Sequence, residues 1–204
     1  DESGMMPIRI KPSSSIKPIE YKLQVASAQV KSALILCAIH LTEESVIIEP
    51  VPTRNHTEKL LGLRTIHDMD GTKIFVSKDN YPQPFELNVP SDISSAAFFI
   101  VLALLTKNSE IIIKSVSLNK TRTGLIGILR QMGGKIEIKN VTDGKGEKVG
   151  DIRVSSSQLK NIEIPNAIIP NIIDEIPILS VAGAFAEGNF KITGAKELRV
   201  KESD

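Results

Sequence analysis

The apolar residues of this chain fall into two kinds of run. Short β-branched stretches, "SVIIEPV" from Ser45, "EIIIKSV" from Glu110 and "NFKITG" from Asn189, have the length and composition of strands. Longer runs starting near Ser27, Asp92 and Asp174 are apolar on nearly all helical faces, and a helix that is apolar all round has to be buried. Each long run follows a small polar residue suited to capping a helix: Ser27 in the first, Ser91 or Asp92 in the second, Asn171 or Asp174 in the third. Pro177 fits the first turn of the last helix.

These runs repeat. The segment beginning at Leu23 matches the one beginning at Leu87: Val25 pairs with Val89 and Ser45 with Ser109 at an offset of 64, and Arg54 pairs with Arg122 at 68, so the second copy carries four extra residues in between. A looser third copy starts at Ile162. The predicted unit is β-α-β-α-β-β, closed by "KIFVS" in the first copy and "DIRVS" in the second. In the first two copies a Thr-Arg turn opens the second helix. That helix is clear from Arg122 to Met132, where Gly133-Gly134 supplies the left-handed stop before the strand "KIEI". The stretch "TDGKGEKVG" at 142–150 reads as a mobile loop between two strands. The organisation expected is one unit over 1–84, a second over 85–160 and an incomplete third over 161–204, with the long helices packed together inside and the strands outside.

Composition narrows the partners. The chain has 204 residues, 41% of them hydrophobic, enough for one large domain or most of two. Lys plus Arg (25) nearly cancels Asp plus Glu (24), so no global field draws the protein to nucleic acid or an acidic membrane, and a bound anion must be held by a local cluster. The single cysteine, Cys37, reads as a buried small hydrophobe and excludes a disulfide within the chain. The longest unbroken apolar run, at 96–105, is too short to cross a bilayer, and "DESGMMPIRI" lacks a signal-peptide core; the expectation is a soluble, cytoplasmic protein.

Four stretches carry candidate chemistry. In "VASAQVKSA", Ser27 caps a helix with Gln29 and Lys31 in its first turn, either an anion site at the positive end of a helix or a plain cap with Lys31 in solvent. In "TRNHTE", Arg54 either grips a phosphate or carboxylate or ties the turn to a neighbouring acid; Glu58 is placed to complete a capping box, and His56 reads as structural because no second His or Cys lies near enough for metal-ligand spacing. The parallel "TRTG" at 121–124 reads as structural. In "NIIDEIPIL", Asp174 and Glu175 interrupt an apolar run, so a carboxylate there is either a cap or a general base with a shifted pKa. In "ELRVKES", a strand places Arg199 and Lys201 on one face, whereas a helix starting at Lys201 turns Lys201 and Glu202 into a cleft.

Taken together, "YKLQVASAQVKSA", "PTRNHTEKLL", "DISSAAFFIV", "TRTGLIGILRQMGGKIEI", "IDEIPILSVAGAFAEG" and "ELRVKESD" resemble, in content and order, the EPSP synthase family of enolpyruvyl transferases (3-phosphoshikimate 1-carboxyvinyltransferases). The resemblance covers nearly the whole chain. Asn55, Ser91 and Lys120 depart from the residues usual in the family, which touches turn geometry more than chemistry. The resemblance implies an α/β fold, the inside-out α/β barrel of enolpyruvyl transferases, and transfer of an enolpyruvyl group from phosphoenolpyruvate to the 5-hydroxyl of shikimate 3-phosphate. It further implies that Ser27, Ala28, Gln29 and Arg54 bind substrate, with Asp174 as the base, Lys201 on the substrate hydroxyl and Glu202 as the partner acid. It implies neither cofactor nor metal, a monomer, and a chain corresponding to the middle portion of a longer two-domain enzyme. The competing readings are a UDP-N-acetylglucosamine enolpyruvyl transferase, against which "ELRVKESD" speaks, and a catalytically silent binding or scaffold module.

Overall fold

The computed structural model describes Arg9, residues 11–13 and residues 15–201, with the backbone alone for Val200 and Lys201. The first unit contains β1 (Glu20–Lys22), α1 (Ala28–Ala38), β2 (Ser45–Glu49), α2 (His56–Leu61), β3 (Arg64–Asp68) and β4 (Gly71–Val76). Its sheet runs β1-β2-β4-β3, with β1 parallel to β2 and the other pairs antiparallel. Strand β4 shows the expected alternation: Thr72, Ile74 and Val76 are buried and the residues between them half-buried.

The second unit repeats this plan with α3 (Ile93–Leu105), β5 (Glu110–Ser117), α4 (Gly124–Gln131), β6 (Lys135–Asp143) and β7 (Lys148–Ser155). Its sheet order is β5-β7-β6, and Ser91 bridges in parallel to Val116, the place that β1 holds beside β2. The third copy keeps only this entry: Lys160 bridges in parallel to Glu187 around a helical run made of α5 (Ile169–Ile172) and α6 (Ile176–Phe185), joined by single 3₁₀ turns, and α7 (Leu198–Lys201) follows. Both second helices stop where the sequence places a glycine, at Gly62 (φ 62°) and Gly133 (φ 99°), left-handed positions that other residues adopt at a cost.

Two cores result. Ile35, Ile47, Ile74 and Val76 fill the first, under the four-stranded sheet. Ile100, Leu104, Leu129 and Ile152 join Ile172 and Leu179 in the second, so the second and third copies share one core. Helices α3 and α6 pack on each other inside it, and α1 packs on β2.

Several expectations change at this level. The long helices are buried on one side only: Phe98, Phe99 and Leu102 of α3, Val181 and Phe185 of α6, and Val30 and Leu36 of α1 are exposed. Each helix buries the flank that meets a sheet or a neighbouring helix, and the described residues supply nothing to cover the other flank. Cys37 lies on that open side of α1 and is exposed rather than buried, because Lys31, Ile35 and Ala38 form the inward face. "NFKITG" is not a strand; beyond the Glu187 bridge it has no ladder, since the Phe190 ring folds back onto α6 where Gly183 leaves room that a methyl group would fill. The run 166–185 passes a length-and-composition test for crossing a membrane, yet Ile169, Ile172, Ile176 and Leu179 point into the core. The 142–150 turn is docked rather than loose: Gly144 and Glu147 exchange backbone hydrogen bonds, and Gly146 lies against the backbone of Lys59.

Lys31 is the largest departure. Its side chain is fully buried, with Nζ 2.7 Å from Glu49 Oε1 and 2.7 Å from Glu58 Oε1. Glu58 is thereby drawn inward and forms no capping box, and the Asn55 side chain makes no cap hydrogen bond for α2. A buried cluster of two carboxylates and one ammonium tolerates the loss of the cation poorly, because both acids are then left desolvated without their partner. Lys31→Met is expected to lower the unfolding free energy by about 3–5 kcal/mol, measured by urea denaturation; a loss below about 1 kcal/mol would show that the cluster does not hold the unit together.

Candidate active site

The site is built from the buried cluster outward. Glu49 Oε1, besides meeting Lys31, accepts the backbone N–H of Thr53 at 3.1 Å and the Thr53 hydroxyl at 2.5 Å. One carboxylate therefore fixes both the first turn of α1 and the turn that presents Arg54. At the start of α1, Ser27 is in extended conformation and its Oγ accepts the Val30 N–H at 3.3 Å, as a capping serine does. Ser27, Ala28 and Gln29 then line a cavity of about 260 Å³ together with Thr53 and Arg54. The opposite side comes from the third copy: Pro170, Ile173 and Glu197. The structure thus gathers Ser27, Ala28, Gln29 and Arg54 at one mouth. The free amides of the α1 N-terminus and the Arg54 guanidinium suit that mouth to an anion.

Asp174 stands beside this cavity. It does not cap a helix; the residue preceding α6 is Glu175, which makes no side-chain cap bond, and Pro177 lies in the first turn as expected. The half-buried Asp174 instead receives two arginines: Arg54 Nη2 at 3.3 Å from the first unit and Arg122 Nη1 at 3.1 Å from the second. Of the two roles open for Arg54 in the sequence, tying its turn to an acid is the contact present here, while its place in the cavity wall keeps the anion role open. Arg122 does more than structure its own turn: Nη2 also meets Ser94 Oγ and lies 3.5 Å from Asp92 and 3.6 Å from Glu175. Asp92, not Ser91, caps α3 through the Ser95 N–H, and despite the cost of its partial burial, the Ser94 and Ser95 amides and Arg122 hold its carboxyl below the usual range. Burial pushes the Glu175 carboxyl upward against the opposing Ser94 hydrogen bond and Arg122.

A second set of polar contacts joins the two units. His56 Nδ1 lies 2.6 Å from Glu147 Oε1, and the Asn119 amide donates to the same oxygen at 2.9 Å and to Asn55 Oδ1 at 2.9 Å. This agrees with a structural reading of His56. Beside it a mostly apolar cavity of about 310 Å³, walled by Leu60, Leu87, Val89 and Pro90, holds none of the predicted site residues. Among the described residues, no three His, Cys, Asp or Glu side chains are gathered as metal ligands.

Two predicted residues cannot be placed. The short helix α7 covers Leu198–Lys201, so "LRVK" is helical rather than a strand, but the Lys201 side chain is outside the description; Glu202 lies outside the described residues altogether. Arg122 is the residue that sequence reasoning missed. The signal was available, since Arg122 occupies the position equivalent to Arg54 in the repeat.

Two sheets built on the same β-α-β-α-β-β plan, with helices packed against their inner faces and an anion-suited mouth between units, define a protein of the enolpyruvyl transferase class. Comparison with known proteins bears this out: the family model for EPSP synthase (3-phosphoshikimate 1-carboxyvinyltransferase) matches residues 1–204, and the chain belongs to that family. It is 50% identical over 209 residues to the 3-phosphoshikimate 1-carboxyvinyltransferase of Caldicellulosiruptor saccharolyticus, covering all of this chain and 48% of that protein. It is 45% identical over 210 residues to the enzyme of the same name from Hydrogenovibrio crunogenus, covering all of this chain and 47% of that protein. A solved structure of EPSP synthase from Acinetobacter baumannii superposes with a TM-score of 0.80 at 42% identity, over 93% of this chain and 43% of that one. The fold is the inside-out α/β architecture expected from the repeats, and the chain spans about half the length of the relatives it matches.

Glu175 supplies a pH test of this geometry. A carboxyl whose folded pKa lies above its unfolded value binds its proton more tightly in the folded state, so stability falls as pH rises from the ordinary glutamate value through the raised one. Urea midpoints across that window should decline for the unsubstituted chain relative to Glu175→Gln; parallel curves would mean that Glu175 is not desolvated as described.

Proposed function

We propose that this chain forms one wall of a site that transfers the enolpyruvyl group of phosphoenolpyruvate to the 5-hydroxyl of shikimate 3-phosphate. The observation that carries the proposal is the gathering of Ser27, Ala28, Gln29 and Arg54 at one mouth with Asp174 beside them, from segments more than a hundred residues apart. In this reading Ser27, Ala28 and the α1 N-terminus hold the phosphorylated substrate, Gln29 faces both substrates, and Arg54 takes the 3-phosphate. Asp174 accepts the proton of the 5-hydroxyl as its oxygen bonds to C2 of phosphoenolpyruvate, while C3 gains a proton. The tetrahedral adduct then loses phosphate, and C3 gives a proton back as the double bond re-forms. Lys201 contacts the substrate hydroxyl and Glu202 serves the proton transfers at C3. Proton transfers of this kind need acids and bases held within hydrogen-bond reach, and the anionic substrates need fixed cations.

The same reading takes residues 1–84, 85–160 and 161–204 as three repeat units of a longer two-domain enzyme, a cytoplasmic monomer with small anionic substrates. The near-balanced charge supports small ligands over nucleic acid or membrane as partners.

The assay is phosphate release from the two substrates. The 204-residue chain alone is expected to give none, and the chain extended at both ends with the corresponding segments of the Caldicellulosiruptor relative should give turnover. Asp174→Asn in the extended chain should lower kcat by about 10²–10⁴-fold, the usual contribution of a positioned base. Arg54→Ala should raise the dissociation constant of shikimate 3-phosphate about tenfold or more, one lost charge-assisted bond. Full turnover in Asp174→Asn would remove Asp174 as the base.

A further inference from the structure

The two Thr-Arg turns of the repeat converge on one oxygen. Asp174 Oδ2 meets Arg122 Nη1 at 3.1 Å and Arg54 Nη2 at 3.3 Å. The two arginines differ in how firmly they are held. The Arg122 side chain is 11% exposed and has Ser94 and Asp92 of its own unit and Glu175 of the third copy around it. The Arg54 side chain is 40% exposed, comes from the other unit and opens onto the cavity beside Ser27 and Gln29. A buried, multiply bonded guanidinium is expensive to move, whereas an exposed ion pair is weak and readily exchanged.

We propose that an anion entering the cavity competes with Asp174 for Arg54, so that anion binding takes Arg54 off Asp174 Oδ2 while the Arg122 contact stays. The inference rests on the reading of this cavity as a phosphate site and adds to it a coupling between that site and the base. With both guanidinium groups on Oδ2, the carboxylate has less capacity to accept a hydroxyl proton. When the phosphate of a substrate draws Arg54 away, Arg122 keeps the carboxylate oriented and the loss of one neighbouring cation makes the carboxylate a better proton acceptor. The carboxylate is thus a weaker base while the site is empty and a stronger one once the anionic part of the molecule it acts on has entered. Arg122 is a positioning residue in this account, and Arg54 is the exchangeable partner.

A double-substitution cycle in the 204-residue chain tests it, with inorganic phosphate as the probe and calorimetry reading its dissociation constant. Asp174→Asn should tighten phosphate binding about threefold to tenfold where Arg54 is present, and leave it unchanged in an Arg54→Gln background. Equal tightening in both backgrounds, which simple repulsion by Asp174 would produce, overturns the coupling, as does no tightening in either. Because Asp174→Asn strips a partner from buried Arg122, a second readout uses the unsubstituted chain: on adding phosphate, the guanidinium ¹⁵N signals of Arg54 should move while those of Arg122 stay. Movement of Arg122, or of neither while phosphate binds, overturns the coupling and leaves the anion site standing. Failure of phosphate to bind any of the four chains overturns the anion-site reading and the coupling with it.

Discussion

A fully buried ammonium has to be matched by charge, and in this chain the match sets the position of everything at the site. Lys31 lies on the inward face of α1 and draws Glu49 from the end of β2 and Glu58 from α2, each at 2.7 Å. Three elements far apart in sequence are pinned to one point. Glu49 then uses the same oxygen to hold the Thr53 backbone and hydroxyl, so the turn carrying Arg54 is fixed by the atom that fixes α1. The spacing between the α1 N-terminus and the Arg54 guanidinium, which gives the cavity its suitability for an anion, is thus a consequence of satisfying one buried charge. Such a cluster adds less to stability than an apolar replacement of equal fit, but it specifies one arrangement in which each partner's position constrains the others.

Beyond that cluster, the first unit meets the rest of the chain through polar contacts. The two cores are separate, and between them lie Arg54 on Asp174, His56 on Glu147 and Asn119 on Asn55. Apolar surfaces that fuse would hold the units rigidly, whereas ion pairs and amide contacts that are partly open to water can be broken and re-formed at little cost. The candidate site lies across this junction, with Ser27 and Gln29 on one side and Pro170, Ile173 and Glu197 on the other.

What could be read from the sequence follows from the range of each interaction. Strand and helix periods are local, so β2, β4, β5 and β7 and the helices from Ser27 and Asp92 fall where the pattern places them, and Gly133 ends its helix as predicted. The failures are long-range. "NFKITG" has strand composition, but a strand needs a ladder partner, and Phe190 packs on Gly183 instead. Lysine in the first turn of a helix is ordinarily solvated, and nothing near Lys31 in sequence announces that acids 18 and 27 residues on will enclose it. Cys37 shows the same limit: a helix apolar on all faces conceals which flank meets the sheet. At the site, the residue types were legible while their partners were not. Asp174 reads, with Glu175, as a carboxylate interrupting an apolar run, and only the fold brings two arginines onto it.

The internal repeat shows what the buried charges are for. At the offsets that align the copies, Lys31, Glu49 and Glu58 correspond to Ser95, Ser117 and Ile126. The second unit builds the same β-α-β-α-β-β plan with two hydroxyls and an isoleucine at these positions, Ile126 being fully within its core, so the plan itself does not require the ionic cluster. The units differ in the strand before the turn: β5 is longer than β2 and carries a register irregularity between Ile113 and Val116, and the Thr121 of its turn is held by the Asn119 amide oxygen where Thr53 is held by the Glu49 carboxylate. Burial then separates the equivalent arginines. Arg122 sinks among Ser94, Asp92 and Glu175, and Arg54, on the turn pinned by Glu49, stays at the mouth of the cavity. The charged cluster in the first unit therefore acts on placement rather than on folding of the plan: it keeps one arginine of a duplicated pair at the surface, within reach of both a ligand and Asp174.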